Sequence, residues 1–144
     1  MSFSIILSRT PKSVQAVWKE KYKEGIRDAA KAKYSAAPIG GSVYIRIIWF
    51  QSGKGGPDVD NIVKPILDAL EGVMFENDSQ ISQCLATRID LAKPYTISDR
   101  HISADSYQEL IDLLDLNLSD ILYIEIGEML SQQVIFGLID GGML

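Results

Sequence analysis

The 144-residue sequence has one cysteine, one histidine and no apolar run approaching the length of a membrane span. The lone Cys84 can form no internal disulfide, so a reducing, cytoplasmic setting is expected. The only histidine, His101, is remote in sequence. Cys84 is therefore a poor nucleophile, and a buried structural cysteine in a strand is the expectation. The opening MSFSIILSRT has no basic residue before its short apolar run, so no secretory signal is expected. Internal repeats and low-complexity segments are absent. QSGKGGPD at 51–58 lacks the Lys-Ser/Thr pair that closes a phosphate-binding P-loop, because Lys54 precedes Gly55 and Gly56. It reads as a mobile approach to Asp58.

Positive charge is scarce in the second half. Residues 1–54 carry ten Lys/Arg and three Asp/Glu, a net of +7; residues 55–144 carry four and sixteen, a net of −12. The total of −5 argues against nucleic acid, but the split fits a polyanion-binding face beside an acidic one. It equally fits a solvated basic helix paired with acidic surface. The length suits one domain with a single core, and 47% hydrophobic with 23% charged residues is ordinary for a soluble globular chain.

Periodicity orders the elements. FSIIL at 3–7 predicts a strand. Pro11 and Ser13 mark a turn, with Ser13 a plausible N-cap. From Val14 to about Tyr34, Val14, Val17, Trp18, Tyr22, Ile26, Ala29 and Ala30 recur at helical spacing. Lys19, Lys23, Arg27 and Lys31 form an i, i+4 basic ridge on that helix. SVYIRIIWF at 42–50 predicts a strand. Residues 61–72 predict a helix with Gly72 as its stop, tolerating Pro65 only if it starts near Asp60 or Asn61. QISQCLATRIDLA at 80–92 predicts a strand with Ile81, Leu85, Ile89 and Leu91 on one face. A helix over 105–116, a strand over 121–127 and an apolar tail complete the chain. The tail is expected to seal a dimer interface or pack on the sheet. The fold class is α/β: one mixed domain over 1–144, a small sheet with packed helices.

Carboxylates gather at 58–78. Asp58 and Asp60, in an extended segment, would face one point. Asp78 follows a helix and a turn, a length that lets it return. Three converging carboxylates suit Mg²⁺, which takes oxygen ligands, polarises a phosphate and acidifies a bound water. Lys64 would set a fixed positive charge near the reacting oxygens. An EF-hand loop is excluded, since Ile62 stands where a third ligand belongs. A glycosidase-like acid–base carboxylate pair would need burial to raise one pKa. In the plainer alternative, Asp60 or Asn61 caps the helix, Lys64 pairs with Asp68 and Asp78 fills a turn.

The pieces Asp58-Val59-Asp60-Asn61, Lys64, Asp68-Ala69-Leu70-Glu71-Gly72 and Asn77-Asp78-Ser79-Gln80-Ile81 agree in order and spacing with a known motif. Residues 57–81 closely resemble the core of the RusA family of Holliday-junction resolvases, and a looser likeness extends it to about two-thirds of the chain. The resemblance implies that Asp58, Asp60 and Asp78 bind the metal, that Lys64 is the essential basic residue, and that a RusA-like homodimer uses Mg²⁺ to nick opposed strands of four-way DNA. Under it, Lys19, Lys23, Arg27 and Lys31 become DNA-contact candidates. Two features depart from the family. Asn77 stands where a second aspartate is usual, and the stretch 99–120 is longer than expected, reading as a cover for the sheet edge or a dimer contact. Asn77 and the acidic second half leave open a non-catalytic dimer that binds branched DNA, and a surface with no nucleic-acid role.

Overall fold

The computed structural model describes residues 2–12, 19–132, 134, 136 and 137. The expected cap at Ser13 and the helix start at 14–18 lie outside the described residues. Strand β1 (Ser2–Leu7) leads to helix α1 (Lys19–Lys33) and strand β2 (Val43–Gln51). A short 3-10 helix (Val59–Ile62) runs straight into α2 (Val63–Leu70). A second 3-10 turn (Asp78–Gln80) opens β3 (Ile81–Asp90), followed by α3 (Ala104–Asp115) and β4 (Asp120–Glu128). Among the described residues these strands form one sheet in the order β1-β4-β2-β3. β4 is antiparallel to β1 and β2, whereas β2 and β3 are parallel. A parallel pair needs a crossover. Here the crossover is the Gly-rich loop, the 3-10 helix, α2 and the acidic turn.

Strict alternation gives the sheet two buried faces. Val43, Ile45, Ile47 and Trp49 of β2 join Leu122, Ile124 and Ile126 of β4 in the larger core, against α1 and α2. α1 supplies Tyr22, Ile26 and Ala30, one residue per helical turn; α2 supplies Ile66, Ala69 and Leu70. Each fully buried Ile or Leu contributes roughly 1.5–3 kcal/mol. Ile6, Phe50, Ile121 and Tyr123 point to the other face, which α3 covers with Leu110, Leu113 and Leu114. The stretch 99–120 therefore covers a sheet face, not the sheet edge. No helix is long and apolar enough to cross a membrane among the described residues.

Two sequence expectations change in β3. The register shifts where Val43 pairs with Ile81 and Tyr44 with Gln83. A slip of one residue moves every later side chain to the opposite face. Ile81 consequently packs with the α1–α2 core while Ile89 and Leu91 pack with the α3 core, and Leu85 is 46% exposed. Cys84 is exposed on this edge strand rather than buried. In the tail, Leu130, Val134 and Phe136 are 82%, 76% and 88% exposed, so none of these three packs on the sheet.

Candidate active site and metal centre

The β2–β3 crossover carries every residue of the acidic motif. Its first part is anchored before Asp58. The Trp49 indole donates Nε1–H to Asp120 Oδ1 at 2.8 Å, and Thr10 Oγ1 donates to Asp120 Oδ2 at 2.8 Å. Gln51 Nε2 donates to the Gly55 carbonyl at 2.7 Å. Gly56 has φ +85°, and a Cβ there would lie 2.8 Å from Trp49 Cη2. Only glycine accepts both that backbone region and that approach. The Gly-rich loop is thus fastened to β2, and Asp120 ties that end of β2 to β4 and the segment after β1.

Asp58 has extended backbone (φ −66°, ψ 155°), but Val59–Ile62 turns helical, closed by the Asn61 amide bonding the Asp58 carbonyl at 3.0 Å. Asp60 therefore sits on a 3-10 turn. The expectation that Asp58 and Asp60 share one side through extended alternation does not hold, because 3-10 residues two apart lie about two-thirds of a turn apart. Both side chains are exposed. Neither Asp58 nor Ile62, the residues flanking the two helix starts, makes a side-chain cap, so capping by Asp60 or Asn61 is not seen either.

Lys64, one helical turn beyond Asp60, links α2 to the acidic turn. Its Nζ lies 2.8 Å from Asp68 Oδ1 and 3.2 Å from Asp78 Oδ2. These two hydrogen bonds push its pKa up to about 12. Asp78 is half-buried: one oxygen meets Lys64, while Oδ1 is buried with no hydrogen-bond partner among the described residues. Ligand atoms of Asp68, Glu71 and Asp78 lie within 4.8 Å of one another. Of the expected metal set, Asp78 alone is in that group. Its orphaned oxygen and the exposed carboxylates at 58 and 60 are the hard oxygen donors a divalent cation such as Mg²⁺ takes, and in that sense the residues fit the ion.

The turn holding Asp78 is built by its neighbours. Asn77 Oδ1 accepts from the Ser79 amide at 2.9 Å. Gln80 Oε1 accepts from the amides of Glu76 and Asn77 at 2.8 and 3.0 Å, completing a capping box. Gln80 Nε2 donates to the carbonyls of Ile39 and Gly41 at 2.7 and 2.9 Å. Gln80 bolts the acidic turn to the loop before β2. The Asn77-x-x-Gln80 spacing is a capping-box signal, and it could have revealed this role. It also explains the departure at 77: the side chain serves the backbone, a task asparagine performs as well as aspartate.

The basic ridge is placed otherwise than expected. Lys23 and Arg27 each follow a core residue, Tyr22 and Ile26, and so lie beside the buried stripe. Arg27 donates from Nε and Nη2 to the carbonyls of Ala69 and Asp68, both at 3.1 Å, at the end of α2. Lys23 is 16% exposed and meets Glu20 at 3.1 Å. These two do not present a solvent ridge; Lys31 is exposed and Lys19 is half-buried. Other cations lie nearer the motif. A groove of about 370 Å³ runs past Asp58, Asn61, Pro57, Thr10 and Lys12. A second, of about 260 Å³, shares Thr10 and Lys12 and adds Arg9 and Lys21. Sequence reading missed these three cations because they do not share one periodic stripe.

The family model of endodeoxyribonuclease RusA matches residues 9–98, from the Arg9 groove through the whole of β3. A comparison with curated proteins finds no match. The matched segment contains Asp58, Asp60, Lys64 and Asp78 and spans more than half of the chain, which therefore belongs to the RusA family of Holliday-junction resolvases.

Proposed function

We propose that this protein is a Mg²⁺-dependent endonuclease that resolves four-way DNA junctions by paired nicks, acting as a homodimer. The observation that carries this reading is Asp78, with one oxygen held by Lys64 and the other buried and unpartnered. A buried acceptor left so costs about 1–3 kcal/mol, more if charged; ligation of a cation would relieve it. Asp58, Asp60 and Asp78 would hold the ion. Bound there, Mg²⁺ would polarise the scissile phosphate and acidify a water.

The chain's own residues do the rest. Lys64, with its pKa pushed up to about 12, keeps its proton at any working pH. It is a fixed donor to charge developing on phosphate or leaving oxygens, not a base. Gln80 and Asn77 hold the backbone that presents Asp78. Arg9, Lys12 and Lys21 line the grooves leading to Asp58 and would neutralise phosphates. Lys19 and Lys31 stay in the DNA-contact set, while Lys23 and Arg27 serve the fold. One chain carries one acidic turn, so two nicks need two copies in a closed two-fold assembly. The exposed apolar side chains of the tail would contribute surface to it.

The test is a synthetic four-way junction and a linear duplex of the same arm sequences, each with Mg²⁺ or with chelator. Cutting of the junction alone, and only with Mg²⁺, is expected. Binding without cutting would support the non-catalytic reading, and neither binding nor cutting would sink the nucleic-acid reading. Light scattering should give about twice the chain mass.

A further inference from the structure

Only four cations fall in the acidic stretch 55–144: Lys64, Arg88, Lys93 and Arg100. Two of them, Arg88 and Lys93, line one cavity of about 550 Å³ together with Lys54 and Tyr95. The cavity lies at the carboxyl ends of the parallel strands β2 and β3, where Gln51 and Asp90 are register partners. Crevices outside the carboxyl ends of parallel strands are where open α/β sheets bind ligands. Its volume falls in the roughly 300–1,000 Å³ range of ligand sites.

The charge in this cavity is little used by the fold. Lys54 makes no hydrogen bond or ion pair among the described residues. The Arg88 guanidinium rests over the Trp49 ring, 5.8 Å from its centroid, a support that sets its position without using its N–H donors. Lys93 has only a 3.9 Å approach to Asp90. Asp90, the one acid in the lining among the described residues, is occupied by the turn, accepting from the Ala92 amide at 2.9 Å. The contrast is with Lys23, Lys33 and Lys64, whose ion pairs close at 3.2 Å or less. Tyr95 stands 42% exposed at the same cavity.

We infer that this cavity is a second DNA subsite, which takes the sugar-phosphate backbone of one strand on Lys54, Arg88 and Lys93 and stacks a base or sugar on Tyr95. It lies across the Gly-rich loop from Asp58. Gly53, Lys54 and Gly55 line this side of the loop, whereas Gly56 and Pro57 line the groove of Asp58. A strand passing the acidic turn on one side of the loop meets cations again on the other. Three cations, a polarised aromatic and one already occupied carboxylate suit a polyanion with π-faces; they do not suit an apolar or cationic ligand. The inference rests on the DNA reading above and extends it to residues outside the acidic motif.

The experiment measures junction binding without metal, so that cutting plays no part, over a salt series. Lys54→Gln, Arg88→Gln and Lys93→Gln should each flatten the plot of log affinity against log salt by about 0.9 for a lost phosphate contact on duplex, or about 0.7 on a single strand. Tyr95→Ala should weaken binding about tenfold while Tyr95→Phe stays near the parent. Lys33→Gln, paired with Glu109 elsewhere, is the control and should leave the slope unchanged. Thermal melting checks folding, and Lys54 and Tyr95 keep the test informative if Arg88→Gln disturbs Trp49. A parent that binds, with slopes and affinities unmoved in the cavity variants, overturns this subsite alone. A parent that fails to bind any junction overturns the DNA reading and the subsite with it.

Discussion

Removing Gln80 should unfasten the turn that presents Asp78. Its side chain makes four hydrogen bonds: two accepted from the amides of Glu76 and Asn77, and two donated to the carbonyls of Ile39 and Gly41. A neutral hydrogen bond contributes about 0.5–1.5 kcal/mol net. The bond to Ile39 is part-buried and belongs near the top of that range; the other three are exposed and belong near the bottom. Gln80→Ala should therefore cost roughly 2–3 kcal/mol in urea unfolding. Gln80→Glu keeps the acceptor that caps the turn but loses both donors, including the part-buried one to Ile39, so it should cost about two-thirds as much. Both variants should cut at least about tenfold more slowly under conditions where they remain folded, because the tether to residues 39–41 is broken and Asp78 is less well placed. Unfolding and cutting are separate readouts. A Gln80→Ala protein that unfolds at the parent's urea midpoint and cuts at the parent's rate would refute the positioning argument.

Three further outcomes are expected. Lys64→Ala should fold, bind junction and cut at least two orders of magnitude more slowly, and Lys64→Arg should also be poor; parental single-turnover cutting by Lys64→Ala would make the lysine a surface ion pair worth about 0.3–0.5 kcal/mol. Arg27→Ala should lose roughly 2 kcal/mol of stability by stripping the carbonyls of Asp68 and Ala69 of their donor, yet bind junction like the parent once folded; a specific loss of binding without loss of stability would return Arg27 to the DNA surface. Stability should fall as pH rises above about 10, since the native state holds protons that the unfolded chain releases there: burial and the bond to Glu125 push Tyr44 up to about 12, the same causes raise Tyr123, and Lys64 is pushed up to about 12 by Asp68 and Asp78. A melting temperature that stays level between pH 9 and 11.5 would contradict this sign.

Much of this was legible in the residues. β2 and β4 announce themselves by β-branched and aromatic alternation, and α2 by its apolar stripe and a Gly72 at φ +83° that stops it. What was not legible shares one cause: local pattern does not report tertiary register. Ile81, Leu85 and Ile89 have strand spacing, but the slip opposite Val43 and Tyr44 separates their faces. Asp58 and Asp60 have extended spacing, but the chain turns helical between them. Lys23 and Arg27 fall on a tidy ridge, but it lies one residue from the core stripe, so both are half-buried and Arg27 is spent on the end of α2. Gln80 sat inside the motif without a role, because its partners at 39–41 are some forty residues away.

The most direct measurement labels each strand of a four-way junction in turn and resolves the products on a denaturing gel, with purified protein and Mg²⁺. Symmetric nicks are expected in two opposed strands, abolished by chelator, and abolished in Asp78→Asn while that variant still retards the junction. Removing a carboxylate beside DNA should leave binding equal or stronger. Undiminished Mg²⁺-dependent nicking by Asp78→Asn, or an intact junction after exhaustive incubation of a folded parent that binds it, would contradict the central claim.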